Sequence, residues 1–200
     1  MNIRTLFFCF LLMGGIQANA QRSYSLSFFN NATQLPLASF SAVWKQPMHP
    51  GICAGYEFHW KEGSKWFQTV KVGFYYHQFV QSGIQLYTDF GYRKTFDKGF
   101  FVDASVGLGY LHAIPLTEQA KLNSNGDYEI KNGIGRAQVM TGLTPGFGYR
   151  FQLKDSQLSV FTAYQIWLQL PFVPGYVPLL PNGSVHIGAR LSINKNSQSK

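Results

Sequence analysis

The dominant pattern in this chain is a strict alternation of apolar and polar positions, which recurs in eight segments. In the second of them, Ile52 and Tyr56 fall on one side, and Cys53 and Glu57 fall on the other. Residues two apart on a β-strand share a face, so each segment predicts a strand with one apolar and one polar side. The predicted strands are 23–30, 49–60, 66–77, 83–95, 99–112, 136–152, 158–169 and 184–193.

The connections between these strands alternate in length. Segments 61–65, 96–98 and 153–157 are short and polar, whereas 31–48, the stretch near 78–82, 113–135 and 171–183 are mostly longer. Bacterial outer-membrane barrels have an even number of strands, with tight turns at one rim and long loops at the other. We therefore predict an all-β fold, an eight-stranded antiparallel transmembrane β-barrel in the bacterial outer membrane, with both termini in the periplasm.

The two ends of the chain predict processing and a tail. Arg4 precedes an apolar stretch over 5–16, and the small residues Ala18 and Ala20 follow, which is the pattern of a cleaved signal peptide over 1–20. The apolar stretch is shorter than the ~20 residues that a spanning helix needs. The barrel domain is predicted over 21–200, with a polar tail over 194–200 after the last strand.

Composition agrees with a membrane barrel. Aromatic residues make up 16% of the chain and charged residues only 13%, whereas an average soluble domain has about 25% charged residues. Several aromatic residues fall on the apolar faces beside the short turns, which predicts an interfacial girdle. These residues are Trp60, Trp66, Tyr92, Phe100, Tyr149 and Phe151. The net charge of +8 comes without a basic stripe interleaved with aromatics, so no nucleic acid is expected as a partner.

The polar faces carry many charges, which bears on the alternative of a soluble, lipocalin-like barrel. A lipocalin-like barrel would bury the apolar faces and expose the polar ones. The charged residues of the polar faces would make a poor ligand pocket. These residues are Glu57, Lys71, Asp89, Arg93, Asp103, Arg136, Arg150 and Arg190. Eight strands leave an interior just large enough for side chains, so we predict a salt-bridged plug and no channel.

Particular contacts inside this plug are also predicted. Pairing across the short turns brings Arg93 near Asp103 and Glu57 near Lys71. His59 and His186 are predicted to be hydrogen-bonded lumen residues. Pro145 interrupts the sixth strand, which predicts a bulge or a kink. Asn-Ser-Asn-Gly-Asp at 123–127 predicts a turn, and hence a hairpin, inside the long connection 113–135.

His112 is the candidate catalytic residue. Its parity places it on the outward face, at the long-loop end of its strand. Segment 107–112, Gly-Leu-Gly-Tyr-Leu-His, resembles a stretch of the lipid A deacylase-type outer-membrane barrels. The resemblance implies an eight-stranded lipid acyl hydrolase in which the histidine is the base for a serine two residues later. The matching position here is Ile114. The nearby hydroxyl and carboxyl groups that could substitute are Ser82, Thr117, Glu118 and Glu129.

Two long connections carry apolar residues that predict a contact surface. The residues are Phe172, Val173, Tyr176, Val177, Leu179 and Leu180 in the last connection, and Phe40 and Trp44 in the first. The first and last strands must meet to close the barrel, so these connections lie side by side. They either pack together as a cap over the barrel mouth or form a surface for another membrane protein or for outer-leaflet lipid.

These observations predict a non-catalytic outer-membrane barrel, a structural or accessory subunit that acts through its apolar outer loops and its lipid-facing wall. The alternative is a lipid A or phospholipid acyl hydrolase that uses His112. The expected partners are outer-membrane lipid, including lipopolysaccharide, and a larger outer-membrane protein complex. No cofactor and no metal site are expected, and Cys53 is the single cysteine of the barrel domain.

Overall fold

The computed structural model describes residues 22–33, 42–45, 47–61, 63–78, 81–116, 119–122, 128–131, 135–153, 156–172 and 177–193. The predicted signal peptide and the polar tail lie outside these residues. The strands are β1 (Arg22–Thr33), β2 (Pro50–Phe58), β3 (Trp66–His77), β4 (Gln81–Thr95), β5 (Phe100–Pro115), β6 (Gln119–Leu122), β7 (Tyr128–Lys131), β8 (Arg136–Gln152), β9 (Ser156–Leu170) and β10 (Leu180–Ile193). One short helix, α1 (Ala42–Lys45), lies between β1 and β2.

Eight of these strands form one closed antiparallel barrel in the order β1-β10-β9-β8-β5-β4-β3-β2. Closure comes from β1, which pairs with β2 on one side and with β10 on the other. The remaining two strands, β6 and β7, form a separate two-stranded sheet inside the connection between β5 and β8. The eight-stranded barrel and the extra hairpin are both confirmed.

The barrel wall follows the predicted alternation of faces. Outward residues such as Phe28, Val106 and Ile187 are exposed on the wall, whereas Glu57 and Asp89 are buried in the lumen. A wall of exposed apolar side chains around a charged interior is the arrangement of a barrel that faces lipid. It is the reverse of a lipocalin-like barrel, and that alternative is therefore wrong. Among the described residues, no helix is both long and apolar enough to cross a membrane.

The two rims of the barrel differ. The short-turn rim carries the turns β2–β3, β4–β5 and β8–β9, and the long-connection rim carries the remaining connections. The β4–β5 turn is tight because Gly99 adopts φ +88°, and a Cβ on it would lie 2.6 Å from the Arg150 carbonyl oxygen. Glycine is required there for both reasons. The predicted girdle residues are all exposed near this rim.

Pro145 interrupts the sheet differently from the prediction. The β8–β9 ladder pairs Leu143 with Ile166 and resumes with Gly146 opposite Ala163, so two rungs are missing but no residue is inserted. On the other side, Pro145 still lies opposite Ala104 of β5. Of the two predicted outcomes, the bulge is wrong, because the proline removes a backbone donor without changing the register. The local kink stays a prediction.

The interior has two halves of different chemistry. The charged residues Glu57, Arg93, Asp103 and Arg190 lie towards the short-turn rim. The half towards the long-connection rim is filled by a mainly apolar cluster of Phe29, Cys53, Tyr75, Tyr87, Leu111, Ala113, Met140 and Trp167. The predicted salt-bridged plug therefore occupies only one half of the lumen.

Candidate functional site

The centre of the charged half is Arg93, which binds two acids at once. Its Nη1 and Nη2 donate to Glu57 Oε1 and Oε2 at 2.7 and 2.9 Å, and its Nε donates to Asp103 Oδ2 at 2.9 Å. The guanidinium also lies over the Phe67 ring, 4.4 Å from its centroid, and 5.3 Å from that of Phe101. The predicted contact between Arg93 and Asp103 is confirmed. Bidentate geometry and ring stacking together fix one orientation of this side chain.

Arg190 and His59 complete the network around Glu57. Arg190 Nε lies 3.1 Å from Glu57 Oε2, and His59 Nε2 lies 3.5 Å from Glu57 Oε1. Lys71 instead pairs with Asp89, with Nζ to Oδ2 at 2.6 Å. The predicted contact between Glu57 and Lys71 is wrong, because the narrow lumen lets guanidinium groups from other strands reach Glu57.

The two predicted lumen histidines make the expected hydrogen bonds. His59 Nδ1 donates to the carbonyl oxygens of Ser64 and Trp66 at 3.0 and 3.1 Å. His186 Nδ1 lies 3.4 Å from Ser27 Oγ, and its ring stacks on Phe29 with centroids 4.6 Å apart. Among the described residues, no group of three or more histidine, cysteine or acidic side chains could hold a metal ion.

A chain of side-chain amides crosses the lumen near the long-connection rim. Gln81 Nε2 donates to Tyr75 Oη at 2.8 Å and to Gln169 Oε1 at 3.0 Å. Gln169 Nε2 donates to Gln138 Oε1 at 2.6 Å, and Gln138 Nε2 donates to the Pro171 carbonyl at 2.6 Å. Below this chain, Trp167 is fully buried. A cavity of about 40 Å³ between the amide chain and the charged half is far smaller than a pore.

His112 lies where its parity predicts, on the outer wall near the long-connection rim. Its Nδ1 is 2.8 Å from Tyr110 Oη, and the two rings are neighbours on the same face of β5. Residues two apart on a strand meet in this way, so the sequence already signals the Tyr110 contact. Its Nε2 points towards β8, because a Cβ on Gly135 would lie 2.7 Å from that atom.

Of the four residues predicted to act with His112, the structure describes Ser82 and the backbone of Glu129. Ser82 lies opposite Ile114, and His112 lies opposite Ile84, so Ser82 is the diagonal neighbour of His112 across β4. Diagonal residues on neighbouring strands are about 7–8 Å apart. Thr117 and Glu118 lie outside the described residues. The backbone of Glu129 belongs to β7 of the separate hairpin.

Part of the predicted apolar contact surface is described. Trp44 on α1 is 66% exposed, Val177 and Leu179 are exposed, and Phe172 is half-buried. Leu180 belongs to β10 and is buried, so its predicted role as a contact residue is wrong. Phe40, Val173 and Tyr176 lie outside the described residues. The sequence reasoning missed Met48, which is 75% exposed, although its place at the end of the same apolar connection could have indicated it.

The first connection packs onto the barrel in its described part. Val43 is buried, and its carbonyl oxygen accepts a hydrogen bond from Asn30 Nδ2 at 2.9 Å. The helix α1 contacts β1 and β10, the two strands that close the barrel. Trp44 therefore projects from a helix that is fixed on the rim. The cap formed by the two connections together and the contact surface both stay predictions.

Fold and wall together define a class, the eight-stranded antiparallel β-barrels of outer-membrane type. No protein-family model matches the chain, and no curated protein matches it. Among solved structures, the chain is similar to Neisserial surface protein A, with a TM-score of 0.54 and 9% identity, over 87% of this chain and 97% of that one. At this identity the likeness shows the fold alone.

Two further solved structures resemble the chain with lower scores. One is Ail of Yersinia pestis, with a TM-score of 0.42 and 12% identity, over 88% of this chain and 100% of that one. The other is the N-terminal β-barrel domain of Pseudomonas aeruginosa OprF, with a TM-score of 0.42 and 13% identity, over 85% and 99%. The resemblance to lipid A deacylase-type barrels stays a prediction.

Proposed function

We propose that this protein is a non-catalytic barrel of the bacterial outer membrane, a structural or accessory subunit of a larger outer-membrane protein complex. Its wall binds outer-membrane lipid, including lipopolysaccharide, and both termini lie in the periplasm. The apolar residues at the long-connection rim contact the partner. In this role the barrel is a fixed platform, and its closed lumen carries no substrate.

The exposure of Trp44 carries this proposal. A tryptophan and a methionine, Met48, lie exposed on the long connection between β1 and β2, and exposed apolar groups of this kind mark contact sites. Val177 and Leu179 add exposed apolar area on the last connection. Tryptophan is among the residues that contribute most to protein interfaces, because its large ring removes much apolar area from water.

The test compares two tryptophans at opposite rims. The tagged full chain is purified in mild detergent from its native outer membrane as the parent, as Trp44→Gln and as Trp60→Gln, and the co-purifying proteins are quantified by mass spectrometry. We expect a stoichiometric partner with the parent and with Trp60→Gln. Trp44→Gln is expected to lose it by roughly thirtyfold, the factor that corresponds to a ~2 kcal/mol contact residue. A parent barrel that is recovered alone would refute the accessory role.

The second candidate function is a lipid A or phospholipid acyl hydrolase with His112 as base. The observation in its favour is the outward placement of His112, with Tyr110 on its Nδ1 and Ser82 diagonal to it on the same wall. For Ser82 to attack an acyl ester, its hydroxyl proton has to pass to His112 Nε2, which gives it to the leaving alcohol as the ester bond breaks, and water then hydrolyses the acyl-serine. That nitrogen points towards β8, so the imidazole has to turn towards β4 first.

Mass spectrometry of lipid A and phospholipids tests this candidate. Cells with the parent protein are compared with cells that carry His112→Ala or Ser82→Ala, at equal amounts of folded barrel. A hydrolase predicts that acyl chains removed in the parent are retained in both variants. Identical acyl patterns in all three strains would eliminate the hydrolase.

A further inference from the structure

The short-turn rim carries an excess of positive charge that neither proposed function uses. Arg22 and the three turns over 61–65, 94–98 and 150–155 contain seven basic and three acidic residues. In the described part, the basic residues are Arg22, Lys61, Lys65, Lys94, Lys98 and Arg150, and the acidic residue is Asp97. All of these except Arg150, which is half-buried, are exposed. None of them belongs to the Arg93 network in the lumen.

The charge lies on one arc of this rim. The basic residues occur on β1, β4 and β8 and in the turns β2–β3 and β4–β5, which follow one another around the barrel. On β9 and β10, the described outward residues nearest this rim are uncharged, namely Ser156, Leu158, Leu191 and Ile193. The rim therefore has a basic side and an uncharged side.

Two of these cations project from the outer wall. Lys94 lies two residues beyond Tyr92 on the outward face and opposite the exposed Val102. Arg22 lies opposite Ile193 at the end of the β1–β10 ladder, also on the outward face. An outward cation at the end of a spanning strand lies at the level of lipid headgroups, where long basic side chains reach phosphates.

An aromatic cluster lies directly beside Lys94. The Trp66 ring stacks on Phe90 with centroids 5.3 Å apart and meets Tyr92 edge-on at 5.0 Å. The Lys94 ammonium lies 5.1 Å from the centroid of Phe96. Amphipathic rings occupy the boundary between acyl chains and headgroups, so this cluster marks the depth at which Lys94 meets a phosphate.

The β2–β3 turn holds Lys61 and Lys65 in place next to this cluster. The Ser64 amide donates to the Lys61 carbonyl at 3.1 Å, and the Arg93 amide of β4 donates to the Lys65 carbonyl at 2.8 Å. The His59 imidazole clamps the other side of the turn through the Ser64 and Trp66 carbonyls. A turn that is already ordered loses little conformational entropy when its lysines bind a ligand.

From this arrangement we infer that Lys61, Lys65 and Lys94, backed by Trp66 and Tyr92, form a binding site for the phosphate of an anionic phospholipid. This basic-aromatic site faces the leaflet at the short-turn rim, and the inference rests on the proposed placement of the barrel in the outer membrane. Each cation near an anionic surface contributes up to about a fivefold preference, and these factors multiply over the three lysines and fall with salt. The site would retain an acidic phospholipid in contact with the wall.

Tryptophan quenching measures this preference directly. The full chain with Trp44→Phe keeps Trp60 and Trp66 at the site and Trp167 in the lumen. It is reconstituted in vesicles of phosphatidylcholine and phosphatidylglycerol in which either one or the other is brominated, at equal mole fraction. We expect brominated phosphatidylglycerol to quench more strongly, with a preference of roughly fivefold or more, and about 1 M salt to abolish the difference.

Charge variants assign the preference to the site. Lys61→Gln/Lys65→Gln/Lys94→Gln is expected to equalise the two lipids, whereas Lys121→Gln/Lys131→Gln, on the hairpin at the opposite end, is expected to leave the preference unchanged. Lys61, Lys65 and Lys94 are exposed, and Lys121 and Lys131 belong to the separate hairpin of β6 and β7. The shift of the folded band in electrophoresis verifies folding. Equal quenching in the parent, or a preference that survives the triple substitution, would overturn the inference.

A further comparison separates this inference from the proposed function. If neither lipid quenches the parent, the barrel is not in the bilayer and the proposed location fails. If lipid A added to vesicles with brominated phosphatidylglycerol relieves the quenching more strongly than the same mole fraction of unlabelled phosphatidylglycerol, the assignment to phospholipid is refuted. A barrel that purifies without a protein partner refutes the accessory role but leaves the lipid measurement unaffected.

Discussion

Replacement of Glu57 by glutamine tests the charge balance of the lumen. The Glu57 side chain is 2% exposed and contacts Arg93 at 2.7 Å and Arg190 at 3.1 Å. Glutamine keeps the size of the side chain but removes the charge that two guanidinium groups share. Both then depend on Asp103, which lies 2.9 Å from Arg93 but 4.0 Å from Arg190. The buried network gains one unbalanced positive charge, most of it at Arg190.

The magnitude follows from this loss. Removal of one partner of a buried ion pair costs about 3–5 kcal/mol, because the other charge stays desolvated. The Asp103 side chain is 14% exposed, so water partly solvates that side of the network and we expect about 3 kcal/mol. In Glu57→Gln/Arg190→Met the balance returns, since Arg93 and Asp103 remain as a pair. The double variant is therefore expected to recover at least half of the lost free energy of unfolding.

Urea unfolding in lipid vesicles measures the effect. Tryptophan emission and the electrophoretic shift of the folded barrel report the transition, and the midpoints give differences in the free energy of unfolding. Asp97→Asn serves as the control, because Asp97 is an exposed acid in a turn and its change is expected to stay within about 0.5 kcal/mol. The reasoning is refuted if Glu57→Gln unfolds within about 1 kcal/mol of the parent. A double variant less stable than the single one would refute it equally.

Two further predictions concern the long-connection rim. In planar bilayers the parent is expected to give no conductance steps, because Trp167 and the amide chain fill the lumen; regular steps would contradict the closed interior. Burial lowers the pKa of His49, so the unfolded chain takes up its proton first, and stability is expected to fall as the pH drops below about 6.5. His49→Phe, which can keep the ring stacked on His77, is expected to flatten the dependence of the urea midpoint on pH, and an unchanged slope would contradict this.

The architecture could be predicted because a barrel strand repeats every two residues. The bounds 66–77 and 136–152 agree with β3 and β8 at both ends. The prediction 23–30 is shorter than β1, because the ladder with β10 continues to Thr33 opposite Asn182 after the apolar alternation has ended. Burial on one face produces a two-residue period in the sequence, but backbone pairing does not. The ends of strands are therefore predicted less accurately than their faces.

The position of His112 could be predicted for the same reason, but its surroundings could not. Parity gives the face of the wall and the Tyr110 contact. The direction of Nε2 depends on Gly135 of another segment, whose approach follows from the pairing of β5 with β8. The position two residues after His112 holds Ile114, which has no hydroxyl group. The hydroxyl group nearest to His112 by strand pairing is therefore that of Ser82 on the neighbouring strand.

The lumen contacts show why faces are easier to predict than partners. The sequence places Glu57 and Lys71 inward on adjacent strands, but Glu57 lies opposite Thr69, so Lys71 is one inward position farther from the short-turn rim. Lys71 finds Asp89 on the next strand, and Glu57 meets arginines from β4 and β10. Which charges share a level depends on the stagger of eight strands around a closed barrel. The Arg93–Asp103 contact was predictable because the tight turn over 96–98 places the two residues directly opposite each other, whereas the turn over 61–65 places Glu57 opposite Thr69.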